Sequence, residues 1–168
     1  MPKIIENLPE RLAEEARRQI EETSFSAMTI RSVAKGCGVG VGTVYNYYPS
    51  KEALVATFML ADWKDCIAVI ENCANTAQEP EVVLRSIYEQ LLLFMKRYEP
   101  IFRDESAASS YTGSTSSYHS VLRDQLAAPL RKFCRDDFAA RFIAEAMLTW
   151  TVAGTAFDDI FTLVSRLF

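Results

Sequence analysis

Residues 29–52 read T-I-R-S-V-A-K-G-C-G-V-G-V-G-T-V-Y-N-Y-Y-P-S-K-E, and this stretch decides the fold. It contains two short helical patterns separated by a turn that bears glycine. Thr29 is a suitable N-cap for the first helix, because its hydroxyl accepts a hydrogen bond from an otherwise unpaired backbone N–H. Two short helices hold a fixed crossing angle only if small residues lie at their contact and a glycine relieves the turn. Three residues meet that demand: Ala34, Gly36 and Gly38.

The second helix of the pair is predicted over residues 40–48. Val44 and Tyr48 are four positions apart on it and are expected to face the core. A short surface helix rich in Thr, Asn and Tyr beside a lysine buries little area, but it can reach phosphates and base edges in a major groove. The side chains that this arrangement turns toward solvent are Val41, Thr43, Tyr45, Asn46 and Tyr47.

Residues 38–54, G-V-G-V-G-T-V-Y-N-Y-Y-P-S-K-E-A-L, resemble the DNA-binding signature of the tetracycline-repressor-like (TetR) family of transcriptional regulators. The resemblance covers about the first third of the chain and includes a preceding helix in which Leu12, Ala16 and Ile20 recur every four residues. It implies an all-α protein. An N-terminal three-helix helix-turn-helix domain, residues 1–50, is expected to precede a C-terminal helical domain for effector binding and dimerisation, residues 51–168.

The same resemblance implies which residues contact DNA. The residues expected to contact backbone phosphate are Thr43, Tyr47 and Lys51. Those expected nearest to the bases are Arg31, Val41, Gly42, Tyr45 and Asn46. Thr29, at the start of the first helix of the pair, completes the predicted DNA-binding set.

Two positions depart from the family pattern. Ser24 stands where a glycine usually ends the first helix, and a serine costs roughly 1 kcal/mol there if the chain needs a positive φ. Gly40 replaces the usual Ser or Thr cap of the recognition helix, a change that typically costs a few tenths of a kcal/mol. Few polar atoms remain at the start of that helix, so DNA shape is expected to contribute to sequence preference.

Composition agrees with a small helical protein and restricts its partners. The chain has 168 residues, 49% of them hydrophobic, which is enough to bury a core. Residues 1–52 carry no net charge, and the rest of the chain carries the net −4, so a general polyanion binder is excluded. The chain shows neither a signal-like apolar run at its N-terminus nor a stretch long enough to span a membrane, and the predicted location is the cytoplasm.

Motifs of enzymes and metal sites are missing from the sequence. The single histidine excludes the paired E-x-x-H arrangement of di-iron bundles, and neither a nucleophile motif nor a Gly-rich phosphate loop is present. The four cysteines show no C-x-x-C spacing, so neither zinc nor a disulfide is expected. A helical-bundle enzyme or carrier is therefore the least favoured alternative, and no cofactor or metal is predicted.

The last two predicted helices carry more large apolar groups than one small monomer can cover. In the family the corresponding helices pair with their copies to form a four-helix dimer interface, which implies a homodimer here. An intramolecular core is the alternative interpretation for some of these residues. The predicted interface consists of Phe142, Met147, Trp150, Phe157, Phe161 and Val164.

Family members commonly bind a small molecule between the long linker helix and the helices that follow it. Aromatic, methionine and isolated polar side chains suit such a mostly apolar cavity, although ordinary core packing is the alternative for each of them. The candidates are Met59, Trp63, Tyr88, Met95, Tyr111, His119 and Trp150.

These observations together predict a sequence-specific transcriptional regulator. It is expected to be a repressor that an unknown small-molecule effector releases from a palindromic double-stranded DNA operator. The alternative is a regulator without a small-molecule effector, which either binds constitutively or responds to a protein partner.

Overall fold

The chain is helical throughout the part that the structure describes. This computed structural model describes residues 6–105 and 115–168, including every side chain except those of residues 115–118. These residues contain no strand, which confirms the predicted all-α class. None of their helices combines the length and the apolar character that a membrane crossing demands. The helices are α1 (Leu8–Glu22), α2 (Ile30–Cys37), α3 (Val41–Tyr45), α4 (Lys51–Thr76), α5 (Pro80–Arg97), α6 (Glu99–Phe102), α7 (Thr115–Ala127), α8 (Asp137–Val152) and α9 (Phe157–Val164), with short 3-10 turns at Ala128–Leu130 and Ser165–Leu167.

The described residues form two compact units. Residues 6–61 and 98–105 make up the first unit, and residues 62–97 and 115–168 make up the second. The first unit contains α1, α2, α3, α6 and the beginning of α4, while the second contains the rest of α4 with α5, α7, α8 and α9. The compact unit with the helix-turn-helix thus extends past residue 50. A division of function after residue 50 stays a prediction.

In the first unit, an apolar stripe on α1 supports the helix-turn-helix. Leu12 and Ala16 are fully buried, and their spacing of four residues places them on one face of the helix. α2 packs against α1 and contributes Val33, and Phe25 fills the core from the loop between the two helices. Each large apolar side chain buried in this way stabilises the fold by about 1.5–3 kcal/mol relative to exposure.

In the second unit, α8 is the central helix and packs against α5, α7 and α9. Its buried face includes Ala140 and Ile143, and α5 contributes Leu84 and Ile87 to the same core. Alanine at the contact allows the helix axes to approach closely, while the larger side chains fill the grooves beside it.

Two helix starts follow the capping signals in the sequence. The Ser50 hydroxyl accepts a hydrogen bond from the Ala53 N–H at 3.2 Å, and α4 begins at the next residue. The Asp136 carboxylate accepts from the Ala139 N–H at 2.7 Å at the start of α8. Both contacts satisfy a backbone donor that the helix itself leaves unpaired, and Ser and Asp are among the residues preferred at this position.

Ser24 does not adopt the left-handed backbone conformation that would destabilise a serine at this position. α1 ends at Glu22, and Thr23 follows it with a φ of −130°. Among the non-glycine residues that the structure describes, only Asn7 has a positive φ. The Ser24 hydroxyl accepts a hydrogen bond from the Ala27 N–H at 3.1 Å. The expected penalty is therefore absent, since that strain arises only at positive φ.

Three of the six residues predicted for the dimer interface belong instead to the core of the second unit. Met147 is 0% exposed, Val164 is 3% exposed and Phe157 is 6% exposed. Their side chains are packed inside the protomer and have no surface left for a partner, so we remove them from the predicted interface. Apolar residues surround most of α8, and periodicity alone could not separate its inner from its outer side.

The outer side of α8 carries several exposed apolar side chains, together with the polar residues Glu145 and Thr149. Phe142 and Trp150 are 53% and 55% exposed, whereas Phe161 is half-buried and stacks on Phe157. Phe138, which the predicted interface lacked, is 74% exposed, and its ring centroid lies 6.3 Å from that of Phe142. We define the outer face of α8 as Phe138, Phe142 and Val152, three exposed residues within about 80° of one another around the helix.

Candidate nucleic-acid interface

A reciprocal capping box begins α2. The Ser32 N–H donates to the Thr29 hydroxyl oxygen at 3.0 Å, and the Thr29 N–H donates to the Ser32 hydroxyl oxygen at 3.0 Å. Thr29 has an extended backbone and is exposed, as an N-cap residue should be. The predicted cap is confirmed, and the box holds the first turn of α2 in a defined conformation.

Glycine makes the turn between α2 and α3. Gly38 has a φ of +69° in the left-handed region, and its N–H donates to the Lys35 carbonyl at 3.1 Å. The next N–H, that of Val39, donates to the Ala34 carbonyl at 2.9 Å. A residue with a Cβ is strained at that φ, so the turn glycine expected from the sequence is needed here.

α3 is shorter than predicted. It runs over Val41–Tyr45 instead of residues 40–48, and Asn46 is its C-cap. Gly40 precedes it with an extended backbone and offers no side-chain cap, which leaves the first N–H groups of the helix without that support. The chain nevertheless continues in a helix-like path, because the Tyr48 N–H donates to the Val44 carbonyl at 2.9 Å.

The two sides of this segment differ sharply in exposure. Val44 is 0% exposed and Tyr48 is 8% exposed, so both face the core as predicted. Tyr45 and Tyr47 are 53% and 50% exposed, and Asn46 between them is also exposed. Leaving two large aromatic rings in water gains no burial energy, which favours a role in contacting another molecule.

Tyr48 fixes the inner side of the segment to α1. Its hydroxyl donates to the Pro9 carbonyl at 3.3 Å, and burial raises the pKa of the phenol. Tyr48 therefore stays neutral and hydrogen-bonded on the inner side of the segment, while the neighbouring Tyr47 is directed away from the core.

Lys51 lies at the first position of α4 and is half-buried. Its ammonium donates to the Phe25 carbonyl at 3.1 Å and lies 4.2 Å from the centroid of the Phe25 ring. An ammonium has three N–H donors, so this one hydrogen bond leaves capacity for a phosphate oxygen. The structure therefore shows a second, structural role for a residue that the resemblance assigned to phosphate binding.

Two cations lie on the outer side of α2. Arg31 and Lys35 are both exposed, and they are four positions apart, which places them on one face of the helix. Because α2 carries no acidic residue, these two charges make its outer side positive. This local charge suits a polyanion although residues 1–52 have no net charge.

Gly36 of α2 lies next to the Glu15 side chain of α1. A Cβ at Gly36 would lie 2.1 Å from the Glu15 carboxylate, so no larger residue fits without displacing that side chain. Glu15 accepts from the Arg18 guanidinium at 2.7 Å, and these hydrogen bonds hold the pKa of the carboxyl below its usual range. The sequence predicted Gly36 for the contact between α2 and α3, whereas the structure places it next to Glu15 of α1.

Asp104 holds the loop that leads into α2. Its carboxylate accepts from the Ser26 N–H at 2.9 Å and from the Ser26 hydroxyl at 2.6 Å. The two residues are 78 positions apart, and both belong to the first unit. No pattern in the sequence indicated this contact, because only the tertiary fold brings residues so distant in sequence together.

The structure thus brings the nine predicted DNA-binding residues together within one short segment of the first unit. Six of them are exposed, and Val41, Thr43 and Lys51 are half-buried; none is in the core. The exposed six are Thr29, Arg31, Gly42, Tyr45, Asn46 and Tyr47. Which of them touch phosphate and which touch bases stays a prediction.

The residues predicted to line an effector pocket have varied environments. Trp63 is buried and its indole N–H donates to the Gln125 side-chain oxygen at 2.7 Å. The Tyr88 hydroxyl donates to the Thr155 carbonyl at 3.1 Å. Both residues use their polar atoms within the second unit, as core residues do.

The other candidates are more exposed. Trp150 is 55% exposed, and His119, also on the surface, has its Nε2 3.6 Å from the Glu145 carboxylate. Met59 and Met95 are half-buried. Tyr111 lies outside the described residues. A surface groove of the second unit, between the end of α4 and the start of α5, includes none of the candidates and is lined by Cys73, Glu79, Glu81, Val82, Arg85, Ser86 and Glu89.

The fold and this segment define a helix-turn-helix protein with an exposed segment after the turn. Residues 12–57 match the family described as bacterial regulatory proteins, tetR family. This match covers 46 of the 168 residues and comprises the helix-turn-helix segment.

A curated relative matches the same part of the chain. The HTH-type transcriptional regulator UidR of Escherichia coli (strain K12) is 31% identical over 58 residues, which is 34% of this chain and 30% of UidR. The chain thus spans less than a third of the length of the curated relatives that it matches.

Solved structures share the fold over nearly the whole chain. The TetR family repressor AlkX from Dietzia sp. strain DQ12-45-1b, implicated in biodegradation of n-alkanes, has a TM-score of 0.64 at 16% identity and covers 94% of this chain and 97% of its own. The fatty acid degradation regulator FadR from Bacillus halodurans has a TM-score of 0.52 at 18% identity and covers 95% of this chain and 91% of its own. Identities this low show the fold and nothing more.

Proposed function

We propose that this protein binds a palindromic DNA operator as a homodimer and represses transcription from it. The observation that carries the proposal is the exposure of Tyr45, Asn46 and Tyr47 beside the fully buried Val44. Because Val44 is buried, the aromatic and amide groups of the other three residues are left exposed on the helix-turn-helix segment. In helix-turn-helix proteins this segment enters the major groove.

We propose that one group of residues contacts the DNA backbone and a second group contacts the bases. Thr29, Thr43, Tyr47 and Lys51 bind backbone phosphate through hydroxyl and ammonium donors, which position the protein on the duplex. The residues nearest to the bases determine the preferred DNA sequence. The two glycines near the start of α3 have no polar side chain, so DNA shape also contributes to that preference. The residues proposed for this second group are Arg31, Val41, Gly42, Tyr45 and Asn46.

Selection from a random duplex library tests the proposal. A palindromic enriched sequence, bound with an affinity that falls steeply as salt rises, is the expected result. Asn46→Ala should change the preference among sites, whereas Gln78→Ala, on an exposed glutamine of the second unit, should not. Absence of any enriched sequence at low salt would contradict sequence-specific binding.

Dimerisation is proposed to use the outer face of α8 together with Trp150 and Phe161. Phe138 and Phe142 are more than half exposed and their ring centroids are 6.3 Å apart, so they form an apolar patch that a partner surface would bury. A twofold pairing of α8 and α9 with their copies makes a four-helix interface, and it sets the spacing of the two recognition segments. A palindromic operator would match that symmetry.

Release of the operator is proposed to follow binding of a small molecule in the C-terminal part of the chain, after residue 50. α4 has 26 residues and is therefore about 39 Å long, so one helix can carry a displacement over that distance. Loss of operator affinity on addition of an effector, with the dimer intact, is the expected result. The effector itself is to be found by screening compounds against the selected duplex.

A regulator without a small-molecule effector is the second candidate. It is favoured by the partners of Trp63 and Tyr88, whose polar atoms are already bonded to Gln125 and Thr155. A ligand that used those atoms would first have to break a hydrogen bond, each worth about 0.5–1.5 kcal/mol net. Trp63→Phe should weaken effector response under the first candidate and leave operator affinity unchanged under the second. Under either candidate function, we propose that the protein is located in the cytoplasm, where it can reach DNA.

A further inference from the structure

An ordered chain of side-chain hydrogen bonds connects α1 to the start of α2. The Gln19 amide donates to the Glu15 carboxylate at 2.7 Å, and the Ser32 hydroxyl donates to the Gln19 amide oxygen at 2.5 Å. The Thr29 N–H then donates to the Ser32 hydroxyl oxygen at 3.0 Å. Gln19 and Ser32 are 13 positions apart on different helices, so the fold itself brings them together.

Glu15 determines the direction of every bond in this chain. Arg18 donates to both of its oxygens and lowers the pKa of the carboxyl, so Glu15 is ionised at neutral pH and can only accept. Gln19 must therefore turn its NH₂ group toward Glu15 and its oxygen toward Ser32. Ser32 has one hydroxyl proton, which goes to Gln19, and its oxygen accepts from the Thr29 N–H.

The series of side-chain hydrogen bonds ends at the Thr29 hydroxyl. Its oxygen accepts from the Ser32 N–H at 3.0 Å. Among the described contacts, its own proton has one acceptor, the Ser32 hydroxyl oxygen, at the longer distance of 3.2 Å. Thr29 is exposed at the N-terminus of an eight-residue helix beside Arg31. A hydroxyl donor at that position is suited to a phosphate oxygen.

We propose that Gln19 is a positioning residue for binding of the DNA backbone. By holding Ser32 it orients Thr29, so that the Thr29 hydroxyl donates to a phosphate oxygen. Gln19 is half-buried on α1 and acts through Ser32 and Thr29 without contacting DNA itself. This inference rests on the proposed DNA-binding function.

Gln19 is not needed to keep the capping box folded. The Ser32 hydroxyl also lies 2.8 Å from the Thr29 carbonyl, which gives its proton a second acceptor. When Gln19 is removed, the proton can turn to that carbonyl and the two backbone contacts of the box remain. Loss of Gln19 should therefore change the directions of the Ser32 and Thr29 hydroxyl protons more than the stability of the helix.

Gln19→Met tests the proposal, because methionine has a similar length and neither donates nor accepts strongly. The probe is a mixed-sequence duplex of about 30 base pairs, long enough for two half-sites one helical turn apart. We expect affinity to fall about fivefold, the effect of one hydrogen bond. The dependence of log affinity on log salt should keep its slope, since no cation has been removed. Gln78→Met, on an exposed glutamine of the second unit, is the matched control and should bind as the unchanged chain does.

A double-mutant cycle with Thr29→Val separates positioning from a general structural effect. If Gln19 acts through the Thr29 hydroxyl, Gln19→Met costs about fivefold in the original chain and nothing further in the Thr29→Val background. An equal loss in both backgrounds, or no loss in the original one, would overturn the inference. Should Gln19→Met lower the melting temperature into the assay range, Gln19→Asn, whose amide is one methylene too short to reach both partners, takes its place with the same expectation.

Failure of the inference and failure of the proposed function give different results. If the unchanged chain binds no duplex even at low salt, the proposed function and the inference are both overturned. If the unchanged chain binds and the cycle is additive, only the role of Gln19 is overturned. Binding by the unchanged chain with the expected coupling supports both.

Discussion

At the scale of single residues, Tyr47 and Tyr48 are neighbours with opposite environments. Tyr47 is 50% exposed, whereas Tyr48 is 8% exposed and donates its hydroxyl to the Pro9 carbonyl. We predict that Tyr47→Phe weakens binding to every duplex by about two- to tenfold, since it removes one hydrogen-bond donor to phosphate. The melting temperature of the Tyr47→Phe variant should stay unchanged. Fluorescence anisotropy with a labelled duplex measures the affinity.

Tyr48→Phe is the control for the same chemical change on the inner side. It should lower the free energy of unfolding by about 1 kcal/mol because the hydrogen bond from Tyr48 to the Pro9 carbonyl is lost, and it should leave the salt slope unchanged. If Tyr47→Phe changed stability and left DNA binding intact, the assignment of Tyr47 to phosphate would be wrong.

Lys51 combines a structural contact with a proposed phosphate contact. We predict that Lys51→Met weakens binding to all duplexes and reduces the slope of log affinity against log salt by about one, because one cation no longer displaces a counterion. It should also cost about 0.5–1 kcal/mol of stability, since the ammonium lies over the Phe25 ring. Affinities over a range of salt concentrations give the slope, and calorimetric melting gives the stability.

Lys64→Met provides the comparison, because Lys64 is exposed on the part of α4 that belongs to the second unit. Removing that charge should leave the slope as it is. A slope that drops equally for both variants would show that general charge, and not a contact at Lys51, sets the salt dependence.

At the scale of elements, the turn between α2 and α3 depends on one backbone conformation. Gly38 has a φ of +69°, while Gly42 lies within α3 and has open space around its Cβ position. We predict that Gly38→Ala lowers the free energy of unfolding by roughly 1–2 kcal/mol, the cost of a left-handed conformation for an L-residue. Gly42→Ala should raise it by about 0.5–1 kcal/mol, because alanine favours a helix.

Chemical denaturation of the protein without DNA measures both changes. Gly42 is among the residues proposed to lie near the bases, so its effect on stability must be separated from any effect on binding. Destabilisation of similar size by both variants would contradict the left-handed turn as the reason that Gly38 is required.

At the scale of the whole molecule, the exposed apolar residues of α8 determine the expected assembly. We predict that Phe142→Asp converts a dimer into monomers, because a carboxylate on the outer face of α8 cannot be buried without a partner charge. Affinity for a palindromic duplex should then fall by about 100-fold or more, since the second half-site is no longer bound by the same particle. Sedimentation velocity measures the oligomeric state.

Leu93→Asp is the control for an exposed apolar residue elsewhere. Leu93 is 59% exposed on α5, outside the proposed interface, and its replacement should leave both the sedimentation coefficient and the affinity as they were. A dimer that survives Phe142→Asp would show that α8 does not form the interface.

Local patterns in the sequence were sufficient for the helix-turn-helix. Thr29 was recognisable as a cap, and a glycine was expected in the turn between the two short helices, where Gly38 has its positive φ. Each of these features depends on residues within a few positions of one another, and short-range hydrogen bonds and backbone sterics act over that same range. The predicted end of α3 was three residues too late, since helix ends depend on weak local preferences.

The sequence by itself predicted the all-α fold and the exposed helix-turn-helix segment. Only the tertiary structure decided which apolar residues are core and which are surface: Met147, Phe157 and Val164 are inside, while Phe138 is outside. It also decided which distant polar groups meet, as Gln19 meets Ser32 and Asp104 meets Ser26. The physical reason is that periodicity defines the faces of a helix, whereas the partner of each face is set by packing between helices that are far apart in sequence.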